Sequence, residues 1–330
     1  MAHTEFVGQS AEIPCTTTAT INAAATAAAT AAFKYKFGDE GYLLDYHGTK
    51  VCYPMYESLP VVERFQANDK DICIASFPKS GTNLMAAIVW MILHDGDPKV
   101  PHLEYALPGM PPNMLPANTL NKQAGPRVFY THLGYNALPE SIKTHAKVIY
   151  IARNPKDVIV STNYFFRALK FKQFTGTVQE TFQSFMNNVC AFGPYFDHVA
   201  GYRRHVSDMA NLFFITYEEM VQDVENIIKR VARFLGKELD NMQISNIMRC
   251  CSREQMQNNH TTNLAHLHQL GLMDFNVSPF MRKGIIGDWK NHFSPELNRQ
   301  VDKWIEQEQQ RLHNELKGFH FQYETYNIAA

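Results

Sequence analysis

Asp71-Ile-Cys-Ile-Ala-Ser-Phe-Pro-Lys-Ser-Gly-Thr82 joins an apolar run, a turn and the start of a helix. Asp71–Ser76 shows no alternation of polar and apolar residues, which predicts a strand buried on both faces, as in a parallel sheet. Thr82–Leu93 has the composition of a buried helix. The turn between them, Ser76-Phe-Pro-Lys-Ser-Gly-Thr82, therefore collects free backbone amides and the positive end of a helix dipole, which together can hold a phosphate. Taken alone, the heptad also fits a polar surface turn with a helix cap. It is not the nucleoside-triphosphate loop GxxxxGK[ST], because Lys79 precedes Gly81 and no glycine stands five residues before it. A kinase or ATPase is disfavoured on that ground.

A second strand-to-helix turn lies downstream. Lys147–Ala152 (KVIYIA) predicts another buried strand, and Asn154 followed by Pro155 marks a helix start, the asparagine as N-cap and the proline at the first helical position. Arg153 ends the strand and Ser161 follows two helical turns on, so the pair could share a phosphate, although an arginine after a strand is more often a solvated charge. Phe280–Lys290 (FMRKGIIGDWK) interleaves Arg282, Lys283 and Lys290 with two glycines, the composition of a loop folding over an anion. Thr177-Val-Gln-Glu180 has capping-box spacing and predicts a helix to about Val199. Asn211–Thr216 reads as a strand, Val221–Leu235 as an amphipathic helix ending at Gly236, and Ser294-Pro295-Glu296 as the start of a helix through Trp304 to about Leu312. No linker interrupts this alternation, so residues 34–330 are expected to form one α/β domain with a central parallel sheet flanked by helices. Ligand sites of such sheets gather at strand-to-helix turns.

The chain has 330 residues, 45% hydrophobic and 19% charged, enough for a sizeable core, and a formal net charge of -1. That balance gives no global field to attract nucleic acid or an anionic membrane, so any anion site must be local. Cys15, Cys52, Cys73, Cys190, Cys250 and Cys251 show no CxxC spacing and are expected to be reduced thiols of a cytoplasmic protein. No stretch approaches the ~18 apolar residues of a membrane span, and no secretory leader is expected. Residues 1–33, dominated by Ala and Thr between Thr16 and Ala32, are expected to be a disordered tail; they contain no Arg, which argues against a mitochondrial presequence. His260, His266 and His268 lack zinc spacing, and no metal is expected.

The three motifs, in this order and at these distances, resemble the cytosolic sulfotransferase family over nearly everything from Lys34 onward. The resemblance implies the P-loop-like sulfotransferase fold and a PAPS-dependent enzyme that sulfates a small hydroxyl acceptor and releases PAP. It implies that Lys79, Ser80, Gly81 and Thr82 bind the 5′-phosphosulfate, with Asn83 and Leu84 following them against the nucleotide. Arg153, Ser161, Arg282, Lys283 and Gly284 would take the 3′-phosphate, with Met281 beside them, while Tyr217 and Ser252 lie near the adenine. Tyr130-Thr-His-Leu133 resembles the family's KTHLP segment, making His132 the general base, with Lys79 neutralising the leaving phosphate. A histidine suits the task because its ordinary pKa leaves it neutral at cellular pH. Asn258–Phe275 would be the loop that closes over both substrates. Met85, Phe165, Phe166, Leu272, Met273 and Phe275 are acceptor contacts on this reading, and each fits ordinary core equally well.

The chain departs from the family pattern in three places. Asn83 and Leu84 stand where the family usually has Thr-Trp, so an aromatic surface for adenine is lost. Tyr130 replaces the family's lysine, removing a cation from the reacting centre. The dimer contact KxxxTVxxxE reads Lys290-Asn-His-Phe-Ser294-Pro295-Glu-Leu-Asn-Arg299, so a homodimer by that contact is not expected. Insect retinol dehydratase also resembles this family, so the same donor scaffold is compatible with a different outcome. Alternatives to an active sulfotransferase are a PAPS- or PAP-binding relative without catalysis and, least favoured, a small-molecule kinase.

Overall fold

Five strands run parallel in the order β4-β5-β3-β6-β7: Ala106–Leu107 (β4), Val128–Thr131 (β5), Ile72–Ser76 (β3), Lys147–Ala152 (β6) and Leu212–Thr216 (β7). The computed structural model describes residues 43–52, 55–99, 106–107, 126–170 and 174–325; the expected tail at 1–33 lies outside them. All five residues of β3 are buried, as a strand covered on both faces requires. A separate antiparallel hairpin, Leu43–Tyr46 (β1) with Thr49–Cys52 (β2), turns through His47 and Gly48, both at positive φ.

Register sets the site. Ser76 pairs with Ile151 and Ala152 with Thr216, so the carboxyl ends of β3, β6 and β7 finish level with one another. One apolar cluster joins the helices Thr82–Leu93 and Val224–Leu235 to one sheet face through Ile74, Ile88, Ile149 and Ile228. A second cluster, with Phe77, Tyr150, Tyr195 and Trp304, covers the other face beneath the helices Tyr195–Arg203 and Pro295–Arg311. At the amino-terminal end of the strands Arg127 clamps Asp71, its Nε 2.8 Å from Oδ1, tying the start of β5 to the start of β3.

Two predicted helices are each divided. The capping box at Thr177 and Glu180 is formed, but its helix ends at Met186 and a second helix begins only at Tyr195. Phe192 and Gly193 instead pair with the hairpin, Phe192 N donating to Lys50 O and Lys50 N to Gly193 O, and Pro194 has no amide to continue a helix. The predicted Val221–Leu235 helix begins at Val224, where Asp223 caps it, while Tyr217–Gln222 forms a short helix of its own.

Candidate active site

Backbone conformation shapes the candidate phosphate cradle. Between β3 and the Thr82–Leu93 helix, Lys79 adopts φ +70° and Gly81, the N-cap, φ +107°. A Cβ on Gly81 would lie 2.6 Å from Cδ2 of Tyr217, so the position needs glycine on both counts. Ser76 Oγ and Thr82 Oγ1 are hydrogen-bonded at 2.7 Å across the turn.

The Lys79 ammonium sits 4.0 Å from the ring centre of Phe280 and 4.4 Å from that of Phe165. Such faces attract a cation that has lost water. Burial, then the neighbouring charges of Arg153 and Arg282, lower its pKa to about 7.

Arg153 leaves β6 and donates from Nη1 to the carbonyl of Lys79 at 2.9 Å, its guanidinium lying over the Tyr217 ring. Asn154 caps the Pro155–Ala168 helix as predicted, which aims Ser161 into the same space. Tyr217 Oη donates to Gly284 O at 3.0 Å, joining the end of β7 to the glycine loop. That loop is tied down by Asp157, whose carboxylate accepts from the amides of Gly287 and Trp289. Asp288 holds the cations, Arg282 at 2.5 Å and Lys283 at 2.7 Å. Its carboxyl is held well below the ordinary range by hydrogen bonds from Lys283, Asn291 and Arg282 that outweigh its burial. The chain beyond the last helix braces the same loop: Trp289 Nε1 donates to Tyr323 O, and Lys290 pairs with Glu324.

His132 follows β5. Its Nδ1 lies 2.8 Å from the carbonyl oxygen of Ser76, which can only accept, so Nδ1 carries the hydrogen and Nε2 keeps its lone pair. Burial pulls its pKa down to about 4, against a smaller opposing effect of that hydrogen bond, and keeps it neutral. Behind it stands His198, buried and with its pKa at about 3 through desolvation. His198 Nε2 donates to His132 O at 3.0 Å, and its Nδ1 meets Tyr150 Oη at 2.8 Å.

One cavity of about 650 Å³ collects these groups. Lys79, Gly81, Thr82, Asn83 and Leu84 line it from the first turn; Arg153 and Ser161 from the second; Tyr217 and Ser252 from one side; Met281, Arg282, Lys283 and Gly284 from the loop; and His132 from β5. Ser80 is fully buried behind this wall. Of the expected acceptor contacts, Phe165, Phe166 and Leu272 line the cavity. Met85 is packed under the sheet, Met273 bridges to Leu169 as buried core, and Phe275 stacks on His268. The predicted closing loop carries a short helix, Ala265–Gln269, with Leu264, Leu267 and Leu270 facing the cavity. Sequence reasoning missed Arg253, which lines the cavity and donates to Arg282 O at 2.8 Å, and the supporting His198. The side-chain atoms Ser80 Oγ, Arg153 Nε and Arg282 Nε are buried without a hydrogen-bond partner, as polar groups awaiting an anionic ligand would be. No group of three or more His, Cys, Asp or Glu among the described residues could hold a metal.

A family profile described as "Sulfotransferase domain" matches residues 69–314, from the foot of β3 to beyond the last helix. The chain belongs to the sulfotransferase family. It is 37% identical to Sulfotransferase 1B1 of Mus musculus over 78% of this chain and 88% of the relative, and 35% identical to Sulfotransferase 1C2 of Rattus norvegicus over 77% and 88%. A structure of mouse sulfotransferase SULT7A1 complexed with PAP matches with a TM-score of 0.68 at 29% identity, over 81% of this chain and 94% of that one. The fold is also that of a retinol dehydratase in complex with androsterone and PAP, with a TM-score of 0.74 at 24% identity, over 86% and 91% of the two chains. This sulfotransferase is therefore a PAPS-dependent enzyme with the PAPS sulfotransferase fold. Among its described residues no helix is long and apolar enough to cross a membrane.

Proposed function

We propose that the sulfotransferase sulfates a hydroxyl of a small, largely apolar acceptor such as a phenol, a steroid or another alcohol. PAPS supplies an activated sulfuryl group. His132 Nε2 takes the proton of the acceptor hydroxyl as the oxygen attacks sulfur in line, while the Lys79 ammonium neutralises the charge that develops on the departing phosphate. Arg153, Ser161, Arg282, Lys283 and Gly284 hold the 3′-phosphate, the Ser80–Thr82 turn the 5′-phosphate, and Tyr217, Ser252, Asn83, Leu84 and Met281 the rest of the nucleotide. The observation that carries this reading is the Nδ1–H of His132 fixed on the Ser76 carbonyl, which leaves Nε2 as a proton acceptor beside Lys79. Apolar walls at Phe165, Phe166, Leu267 and Leu272 support an apolar acceptor. We take residues 34–330 as one domain acting in the cytoplasm, with no nucleic-acid or membrane partner.

Transfer of radiolabelled sulfate from PAPS to a panel of phenols, steroids and long-chain alcohols, with EDTA present, tests the proposal. Product that disappears in His132→Ala, while PAP still binds, is the expected result. PAP binding with no sulfated product from any acceptor would instead identify a silent relative, the reading that the departures at Tyr130 and Leu84 favour.

A further inference from the structure

Asp288 is buried, and among the described residues four side chains donate to its carboxylate. Lys283 Nζ at 2.7 Å and Asn291 Nδ2 at 3.0 Å reach Oδ1; Arg282 Nη1 at 2.5 Å and His292 Nε2 at 3.0 Å reach Oδ2. A carboxylate oxygen only accepts, so Nε2 of His292 carries a hydrogen. The other ring nitrogen lies 3.5 Å from the Tyr164 hydroxyl, and the two rings meet edge to face with centres 5.3 Å apart. Tyr164 stands on the Pro155–Ala168 helix one turn beyond Ser161, and the Arg282 guanidinium lies 4.6 Å from the centre of its ring. Arg282, Asp288, His292 and Tyr164 thus close a circuit in which each touches the next. Arg282 lines the cavity and leaves a buried Nε without a hydrogen-bond partner, whereas Tyr164, Asp288 and His292 stand behind the wall.

We infer that His292 is a positioning residue of the nucleotide site, acting through Asp288 and Tyr164 to hold the Arg282 guanidinium toward the 3′-phosphate. The inference rests on the function proposed above, which gives that phosphate to Arg282 and Lys283. Two cations sharing one carboxylate leave a net positive charge for a ligand, provided that the carboxylate does not hold either of them too strongly. An imidazole N–H on Oδ2 satisfies part of that oxygen's negative charge and fixes the direction in which it points. Without it, Oδ2 would have Arg282 alone and would compete with the phosphate for the same guanidinium. The Tyr164 ring, packed against the imidazole, gives the planar guanidinium a surface to stack on. A histidine that only filled space behind the loop would need its ring and not its N–H, so removing the N–H separates the two roles.

His292→Phe keeps a ring against Tyr164 and removes the N–H, while His292→Gln restores an N–H that can reach Asp288. By calorimetry His292→Phe is expected to bind PAP about three- to tenfold more weakly than wild type and adenosine 5′-phosphate, which lacks the 3′ group, as before. His292→Gln is expected to regain PAP affinity to within about twofold of wild type. Unchanged PAP binding in His292→Phe would overturn the inference, as would an equal loss for both nucleotides or a His292→Gln variant no better than His292→Phe. Should His292→Phe not fold, Tyr164→Leu must show the same selective loss of PAP affinity, and its absence would overturn the inference in turn. A wild-type protein that binds PAP no more tightly than adenosine 5′-phosphate would refute the 3′-phosphate assignment itself and this inference with it, a failure recognised without any variant.

Discussion

The imidazole of His198 donates to the main-chain carbonyl of His132 at 3.0 Å, while the side chain of His132 donates to the carbonyl of Ser76 at 2.8 Å. Backbone and ring of the proposed base are thus fixed by separate hydrogen bonds. The Tyr150 hydroxyl fixes His198 in turn.

His198→Leu should therefore lower kcat by about tenfold or more without changing the KM for PAPS, because it frees the His132 backbone and touches neither substrate. The orphaned carbonyl and phenol should also cost roughly 1–3 kcal/mol of stability. His198→Gln can donate to the same carbonyl and should recover most of kcat. Steady-state kinetics with urea unfolding of both variants provides the check; equal kcat in His198→Leu and wild type would leave His198 a purely structural residue.

The pH dependence of kcat/KM for PAPS should be bell-shaped. His132 must be neutral, so activity rises as pH climbs through about 4; Lys79 must be charged, so activity falls as pH climbs through about 7. Lys79→Arg keeps its charge and should remove the alkaline limb, whatever it does to the maximal rate. An alkaline limb that survives this substitution would assign it to another group.

Arg153 and Arg282 predict a preference for the 3′-phosphorylated nucleotide. Calorimetry should show PAP binding at least about tenfold tighter than adenosine 5′-phosphate, since a charge-assisted contact is worth about 1.5–3 kcal/mol. Arg153→Ala should erase most of that difference. Equal affinities in the wild-type protein would remove the 3′-phosphate assignment.

Stability and site can be separated at the amino-terminal end of the sheet, opposite the cavity. Asp71 is fully buried against Arg127, whose side chain is 7% exposed, so Asp71→Ala strands a buried guanidinium and should destabilise the fold by about 3–5 kcal/mol. PAP affinity measured well below the unfolding temperature should be unaltered. Replacing both residues by apolar ones should recover much of the loss.

Local chemistry made much of the fold legible. The strands at Ile72–Ser76 and Lys147–Ala152, the Asn154 cap and the Thr177–Glu180 capping box are each set by residues within a few positions of one another. The break after Met186 was not, because it depends on Phe192 and Gly193 pairing with Lys50, far away in sequence. The hairpin β1–β2 went unread, and β5, which carries Tyr130, emerged only through the family resemblance of its last residues. In the site, the phosphate-binding candidates stood out as glycine and cations at strand-to-helix turns, a pattern that a polar surface turn or a solvated arginine also fits, and the family resemblance assigned their roles. Arg253 and His198 looked like a surface arginine and one histidine among 14. Their importance comes from carbonyls of Arg282 and His132 that only the folded chain brings to them.

The brace that Tyr323 and Glu324 place on Trp289 and Lys290 bears on synthesis. In a nascent chain β3, the Lys79 turn, β6 and β7 are all made well before those two residues. The glycine loop would then have its Asp157 anchors but lack this outer support. On the proposed donor site, a chain extended through Glu324 should therefore hold the nucleotide more tightly than one that stops before Tyr323.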